Sequence, residues 1–408
     1  MEKKYIYLIC IITLLMRIMY FFILPKGLNF GDAQHYYNVA KNFSLGKGMY
    51  NDYVEPITNY PLEPYMHNRH IGYVIFLALI FKLFGYNENY IYFAQSILDI
   101  LICIFIFLIS KKIGLSDLFA FLAAIIYAFY PINAVFSFMV LAETLFTFLC
   151  IILIFVFVNK KEYDIKKYFI AGLLCGLAVL TRPSFQFYVI FIFLDFILAF
   201  IFKNIDFKNL LFSLLAFFSI FFIILFFWMF RNYKLFGKFF LSFGGGWTLY
   251  ESNNPAADGA PSKSNIPFQE MQKKIPYLEQ DRYFTELAIK WIKQEPIKFL
   301  KLIPIKFFRF WNVVPNFDKF NKFLFDLLSG IFHIVIYFFF LFALFKKIKF
   351  FLFAIGFYLF SFILYFSLLH SIFIGSLRYR APVMPYVFII AMIGCEILFN
   401  RFKIKRKV

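Results

Sequence analysis

Charge is scarce in this chain, and negative charge scarcest of all. Asp and Glu together number 23 against 42 Lys and Arg, and the four types make up only 16% of the 408 residues. A soluble domain carries roughly a quarter charged residues, so an ordinary water-facing surface is missing. Histidine is rare, with five copies, and cysteine is equally rare. Cys10, Cys103, Cys150, Cys175 and Cys395 all lie in apolar runs without CxxC or metal-ligand spacing, so they read as buried small hydrophobes. His67 and His70 stand three apart, yet no further ligand pattern accompanies them, so no metal site is expected. The chain lacks CaaX and N-terminal Gly lipidation signals. Its apolar start, about 5–24, lacks a small-x-small cleavage site and is interrupted by Arg17, so it reads as an uncleaved signal anchor.

What is abundant is apolar. Hydrophobic residues reach 62% and aromatics 24%, with 67 Phe. That much apolar surface exceeds what one soluble core can hide, and lipid must cover the rest. The net charge of +19 does not indicate nucleic acid, because Lys and Arg gather at the ends of apolar runs, where positive-inside sorting and snorkelling place them. The runs fall at about 5–24, 70–85, 90–110, 117–131, 139–158, 168–182, 184–202, 210–230, 323–345, 350–368 and 381–399, with polar stretches at 26–69 and 231–322. The basic clusters at Lys3-Lys4, Lys111-Lys112, Lys160 to Lys167, Lys203 to Lys208, Lys346 to Lys349 and Arg401 to Lys407 can share the cytoplasmic side if one short run fails to cross. The run 70–85 is short and begins after a long outer loop, so it reads as a re-entrant or juxtamembrane helix.

The expected fold is therefore an all-α polytopic bundle of about ten transmembrane helices with two large extracytoplasmic loops and both termini cytoplasmic. It divides into an N-terminal membrane module (1–230, with first outer loop 26–69), a loop domain (231–322) and a C-terminal helical part (323–408). The segment 32–44 predicts a helix along the membrane with Tyr36, Val39, Ala40 and Phe43 on one face. A second amphipathic helix, about 280 to 300 and ending near Pro304, places Lys298, Lys301 and Lys306 toward anionic headgroups.

This topology collects sequence-distant ionisable groups on the outer face. Asp32 opens the 32–44 helix, where it can also be a plain N-cap. Glu143 lies just inside the outer end of a span, a costly place for a carboxylate and therefore a functional candidate; pairing with an Arg is the structural alternative. Arg182, Arg231, Arg378 and Arg380 sit at span ends, and Arg suits bidentate phosphate binding. Gly244-Gly245-Gly246-Trp247 reads as a flexible turn beside an aromatic that either contacts sugar or anchors the loop at the interface.

Five stretches carry a family resemblance: GDAQHYYNVAKNFSLGKGMY (31–50), NRHIGYVIFLALIFKLFG (68–85), LAETLFTF (141–148), GLLCGLAVLTRPS (172–184) and RYRAPVMP (378–385), with RNYKLFG (231–237) and SFGGGWTLYESNNP (242–255) weaker. In this order they resemble GT-C glycosyltransferases, in the branch of protein O-mannosyltransferases and the lipid A aminoarabinose transferase. The resemblance implies a sugar moved from a polyprenyl-phosphate donor to an acceptor hydroxyl on the extracytoplasmic face of a prokaryotic cytoplasmic membrane, with inversion. It implies Asp32 as the base with Glu143 as second acid. Arg69, Arg378 and Arg380, with Arg182 and Arg231, become donor-phosphate contacts, and His35, Tyr36, His70 and Trp247 acceptor or sugar contacts. No cofactor is required, since Arg alone can stabilise a monophosphate leaving group. The partners are the lipid-linked donor, a lipid, glycan or protein acceptor, and the bilayer, with no nucleic acid. The competing readings are a flippase or transporter of a lipid-linked sugar and an outer-leaflet polysaccharide polymerase or ligase.

Overall fold

The computed structural model describes residues 2–28, 31–52, 70–159, 164–202, 206–259, 271, 274–314, 322–353 and 355–405. Eighteen α-helices follow one another among them, and the described residues contain no strand. They are α1 (Glu2–Ile23), α2 (Gly31–Ser44), α3 (Ile71–Phe84), α4 (Glu88–Lys112), α5 (Asp117–Phe129), α6 (Pro131–Ser137), α7 (Glu143–Asn159), α8 (Ile165–Thr181), α9 (Val189–Phe202) and α10 (Phe207–Phe236). After them come α11 (Gly245–Ser252), α12 (Tyr277–Gln294), α13 (Pro296–Phe310), α14 (Lys322–Lys346), α15 (Ile348–Phe353), α16 (Phe357–Ile372), α17 (Leu377–Arg380) and α18 (Met384–Lys405).

Among the described residues the apolar runs fall largely in helices, with 117–131 divided between α5 and α6 and 350–368 between α15 and α16. Six helices among the described residues are long and apolar enough to cross a membrane, seven if the bent pair α5–α6 counts as one span. This is a multi-pass membrane protein. Pro131 explains the 60° bend between α5 and α6: it ends the first helix and starts the second from its N1 position, where a missing N–H costs nothing. Helix α3 has 14 residues and rises about 21 Å, less than a hydrocarbon core of about 30 Å. His70 faces the cavity described below, and at the other end Tyr37 Oη of α2 donates to Tyr86 O.

In lipid, helices associate through close packing rather than through the hydrophobic effect, and small residues let backbones approach. Gly172-x-x-x-Gly176 on α8 does this against α10. A Cβ at Gly172 would come within 2.3 Å of Phe217 O, and one at Gly176 would press on Ile224. Gly394 plays the same part between α18 and α14, where Phe339 O lies 2.1 Å from a built Cβ.

A buried polar staple fixes the first half of the bundle. Arg17 Nε donates to Asp99 Oδ2 at 2.8 Å, and its Nη1 to Ala128 O at 2.9 Å. Tyr127 Oη and Ser137 Oγ donate to the same carboxylate. One turn along α4, Gln95 accepts from Tyr73 Oη at 2.8 Å and donates toward the carbonyls of Ser137 (3.1 Å) and Met139 (2.9 Å). Those carbonyls belong to the turn that delivers Glu143 to the start of α7. The charge that interrupts α1 thus has an intramembrane partner and holds the turn next to the site.

The loop region departs from expectation in two places. The amphipathic stretch is two helices, not one ending at Pro304. It breaks at Glu295, Pro296 opens the second helix, and Pro304 sits inside it. Lys298 and Lys301 are exposed, but Lys306 is buried, donating to Asn253 Oδ1 at 2.7 Å and Ile372 O at 2.9 Å. Its position on the inner face of α13 makes it a tie between loop and bundle, where a headgroup contact had been expected. The turn at Gly244–Gly246 is also clamped, because Asp281 Oδ1 accepts from Gly244 N (3.0 Å) and Gly246 N (2.8 Å).

Candidate active site

Four charged side chains from four distant parts of the chain meet where α2, α7, α8 and α17 end or begin. Arg378 stands at their centre. Its Nη1 donates to Asp32 Oδ2 at 2.9 Å, and its Nε donates to Glu143 Oε1. Arg182 Nη2 approaches the same Glu143 oxygen at 3.3 Å. A guanidinium can serve two carboxylates because its donors fan out in a rigid plane. Each residue arrives by simple local means: Asp32 in the first turn of α2, Glu143 as the first residue of α7, Arg182 as the extended residue capping α8, and Arg378 in the short turn α17.

Exposure separates the two acids. The Asp32 side chain is 36% exposed, while that of Glu143 is 2% exposed. Asp32 is the carboxylate a ligand can reach, and Glu143 is a buried anchor that draws the two arginines together. Among the described residues Glu143 Oε2 and Arg182 Nη1 are sealed without a hydrogen-bond partner, which buried polar atoms rarely tolerate.

These residues border a cavity of about 330 Å³. Tyr36, His70 and Trp247 line it too, as the sequence reading proposed, together with Gln186, His370 and Tyr379, which it missed. Trp247 packs edge-on to Phe284. Tyr36 is buried with Val39 and Ala40 on the inner face of α2, as expected from their spacing.

Three proposed contacts lie elsewhere. Arg380 is buried, donating to Asn312 O at 2.6 Å and Tyr337 Oη at 2.8 Å, with His333 Nε2 3.1 Å away. Positions 378 and 380 are two apart on a helical turn, about 200° around the axis, so they face opposite ways and cannot share one phosphate. Arg231 lies over the Trp228 and Phe236 rings and donates to Asn232 Oδ1. The reason is that α10 continues to Phe236, so Arg231 is still on the helix surface. His35 is buried against Asn51, with Nδ1 2.9 Å from the amide nitrogen. Arg69 lies outside the described residues. Among the described residues no three His, Cys, Asp or Glu side chains come together as a metal site would need.

Known proteins share this fold. The dolichyl-phosphate-mannose-protein mannosyltransferase family profile matches residues 70–229. The archaeal oligosaccharyltransferase AglB from Archaeoglobus fulgidus, solved with an inhibitory peptide and a dolichol-phosphate, superposes with a TM-score of 0.58 at 15% identity, covering 100% of this chain and 51% of its own. ArnT from Cupriavidus metallidurans, bound to undecaprenyl phosphate, superposes with a TM-score of 0.52 at 11% identity, covering 96% of this chain and 59% of its own. The chain has the GT-C fold. A second Archaeoglobus fulgidus oligosaccharyltransferase structure, tethered to an acceptor peptide containing the NVT sequon, gives a TM-score of 0.57 at 14% identity over 99% of this chain and 50% of that one. This GT-C chain therefore spans about half the length of the oligosaccharyltransferases it resembles. No curated protein matches it significantly.

Proposed function

We propose that this GT-C chain is a membrane glycosyltransferase that moves a sugar from a polyprenyl-phosphate donor to an acceptor hydroxyl. The observation that carries the reading is the Asp32–Arg378–Glu143–Arg182 constellation at one cavity. It is supported by the mannosyltransferase profile and by the GT-C structures with bound dolichol-phosphate and undecaprenyl phosphate.

In the proposed reaction an acceptor oxygen attacks the anomeric carbon. The carbon–oxygen bond to phosphate breaks, the proton passes to Asp32, and polyprenyl phosphate departs. A single in-line displacement inverts the anomeric configuration. Asp32 suits the base role because it is the accessible carboxylate and Arg378 fixes its orientation. Arg182 and Arg378 suit the developing phosphate charge, because both residues border the cavity. Glu143, sealed beneath them, keeps both guanidiniums in place.

The side of the membrane follows from charge. Glu2–Ile23 runs toward Asp32, Ile165–Thr181 runs toward Arg182, and Met384–Lys405 runs away from Arg378. Lys3-Lys4, Lys166-Lys167 and Arg401 therefore lie at the end opposite the cavity. The positive-inside rule puts that end, with both termini, in the cytoplasm and the cavity on the extracytoplasmic face of the cytoplasmic membrane.

The test is transfer from labelled polyprenyl-phosphate sugars by the purified protein. Asp32→Asn should abolish product while leaving expression and membrane insertion unchanged; full activity in that variant would remove Asp32 from the chemistry.

A further inference from the structure

His370 lies at the end of α16 within an apolar run and borders the same cavity as Asp32. Its ring is held on both faces. It stacks on Tyr379 at 4.5 Å with planes 8° apart and on Phe310 at 5.5 Å with planes 9° apart. Its Nδ1 lies 2.9 Å from Ile374 O. A carbonyl can only accept, so Nδ1 carries the proton and Nε2 presents a lone pair. Among the described residues Nε2 has no hydrogen-bond partner, and it is not one of the sealed polar atoms of the core.

The turn that carries this carbonyl is itself held. Lys306 and Asn253 both donate to Ile372 O, and Gly375 packs so closely on Lys306 that a Cβ there would lie 2.3 Å from its carbonyl. The loop domain thus holds the 372–375 turn, the turn orients the imidazole, and the imidazole offers one acceptor to the cavity. The cationic neighbours at this cavity, Arg182 and Arg378, are donors, and a ring whose one N–H is spent on Ile374 does not add to them. The group it matches is a neutral hydroxyl.

We infer that His370 Nε2 accepts a hydrogen bond from one hydroxyl of the transferred sugar and so helps select which sugar enters. This rests on the reading that the cavity receives a lipid-linked sugar. His370 is a positioning and specificity residue here, and it takes no proton in the transfer.

The test compares a polyprenyl-phosphate hexose with its monodeoxy derivatives, in wild type and His370→Phe, by transfer rate and by thermal stabilisation of the full chain. Phe keeps the ring stack and removes the acceptor. Wild type should favour the parent over one monodeoxy donor by about tenfold, the scale of one hydrogen bond left unmade. His370→Phe should lose that preference, with the change in KM rather than kcat, and keep its ranking of the other derivatives. Identical preferences in both proteins, or no deoxy-sensitive position in wild type, would overturn the inference. Should wild type bind these donors yet transfer none, the transferase reading fails, while a binding preference erased by His370→Phe would still support the His370 contact. If His370→Phe does not accumulate, His370→Gln is read instead, with a shifted preference supporting the contact and an unshifted one overturning it.

Discussion

At the scale of single residues, Arg378 joins both acids of the site. Its Nε and Nη1 point in different directions within one plane, toward Glu143 and Asp32. A lysine has one ammonium and cannot hold both carboxylates in this geometry. Arg378→Lys should therefore lower kcat by about 10²–10³, the loss expected for a removed preorganised donor, with KM for the donor changed much less. Steady-state kinetics on a common donor checks this. Lys306 offers a pH readout. Burial lowers its pKa from the ordinary 10.5 to about 8. Between those values the unfolded chain holds a proton that the folded chain has released, so raising pH favours the folded state. Stability attributable to this lysine should rise from about pH 8 toward 10.5, and Lys306→Met should remove that rise. Melting temperatures of the two proteins in detergent, compared at about pH 7.5 and 9.5, measure the difference.

At the scale of elements, the Arg17–Asp99 pair ties α1 to α4 and, through Ser137, to the turn before Glu143. Removing one member leaves an uncompensated buried charge, a loss of about 3–5 kcal/mol, whereas removing both leaves only apolar or hydroxyl neighbours. Arg17→Met alone should thus lower the unfolding temperature sharply, and Arg17→Met with Asp99→Leu should recover much of it. Equal melting of the single and double variants would mean the pair does not act as a unit. The Gln95 contacts to the Ser137 and Met139 carbonyls explain how a loop inside a membrane bundle keeps its backbone satisfied. They also explain why the start of α7, which carries Glu143, is held firmly.

At the scale of the whole molecule, helix directions bring the four charged groups to one end and the basic clusters to the other. A reporter fused after Gly85 should report the extracytoplasmic side, and one after Lys112 the cytoplasm, because α4 runs from the cavity end to the far end. A cytoplasmic signal at Gly85 would reverse the placement of α3 and, with it, the side of the cavity. The loop helices belong to this scale too. The α11 turn is clamped by Asp281 of α12, and α13 is tied to the bundle by Lys306, so the loop helices and the membrane helices build one site.

The helical, multi-pass character of the chain was set by composition and run length alone, because a bilayer admits few alternatives for so apolar a chain. Asp32, Glu143, Arg182 and Arg378 were also legible, since ionisable groups at span ends are few and costly. Tertiary structure alone decided their pairing, because which helix ends become neighbours depends on packing among distant segments. It separated Arg378 from Arg380 by a half-turn of helix, withdrew Arg231 and His35 from the cavity, and turned Lys306 inward. It also raised His370 from a lone histidine in an apolar run to a cavity residue, for its role depends on Ile374, Tyr379 and Phe310 arriving around it.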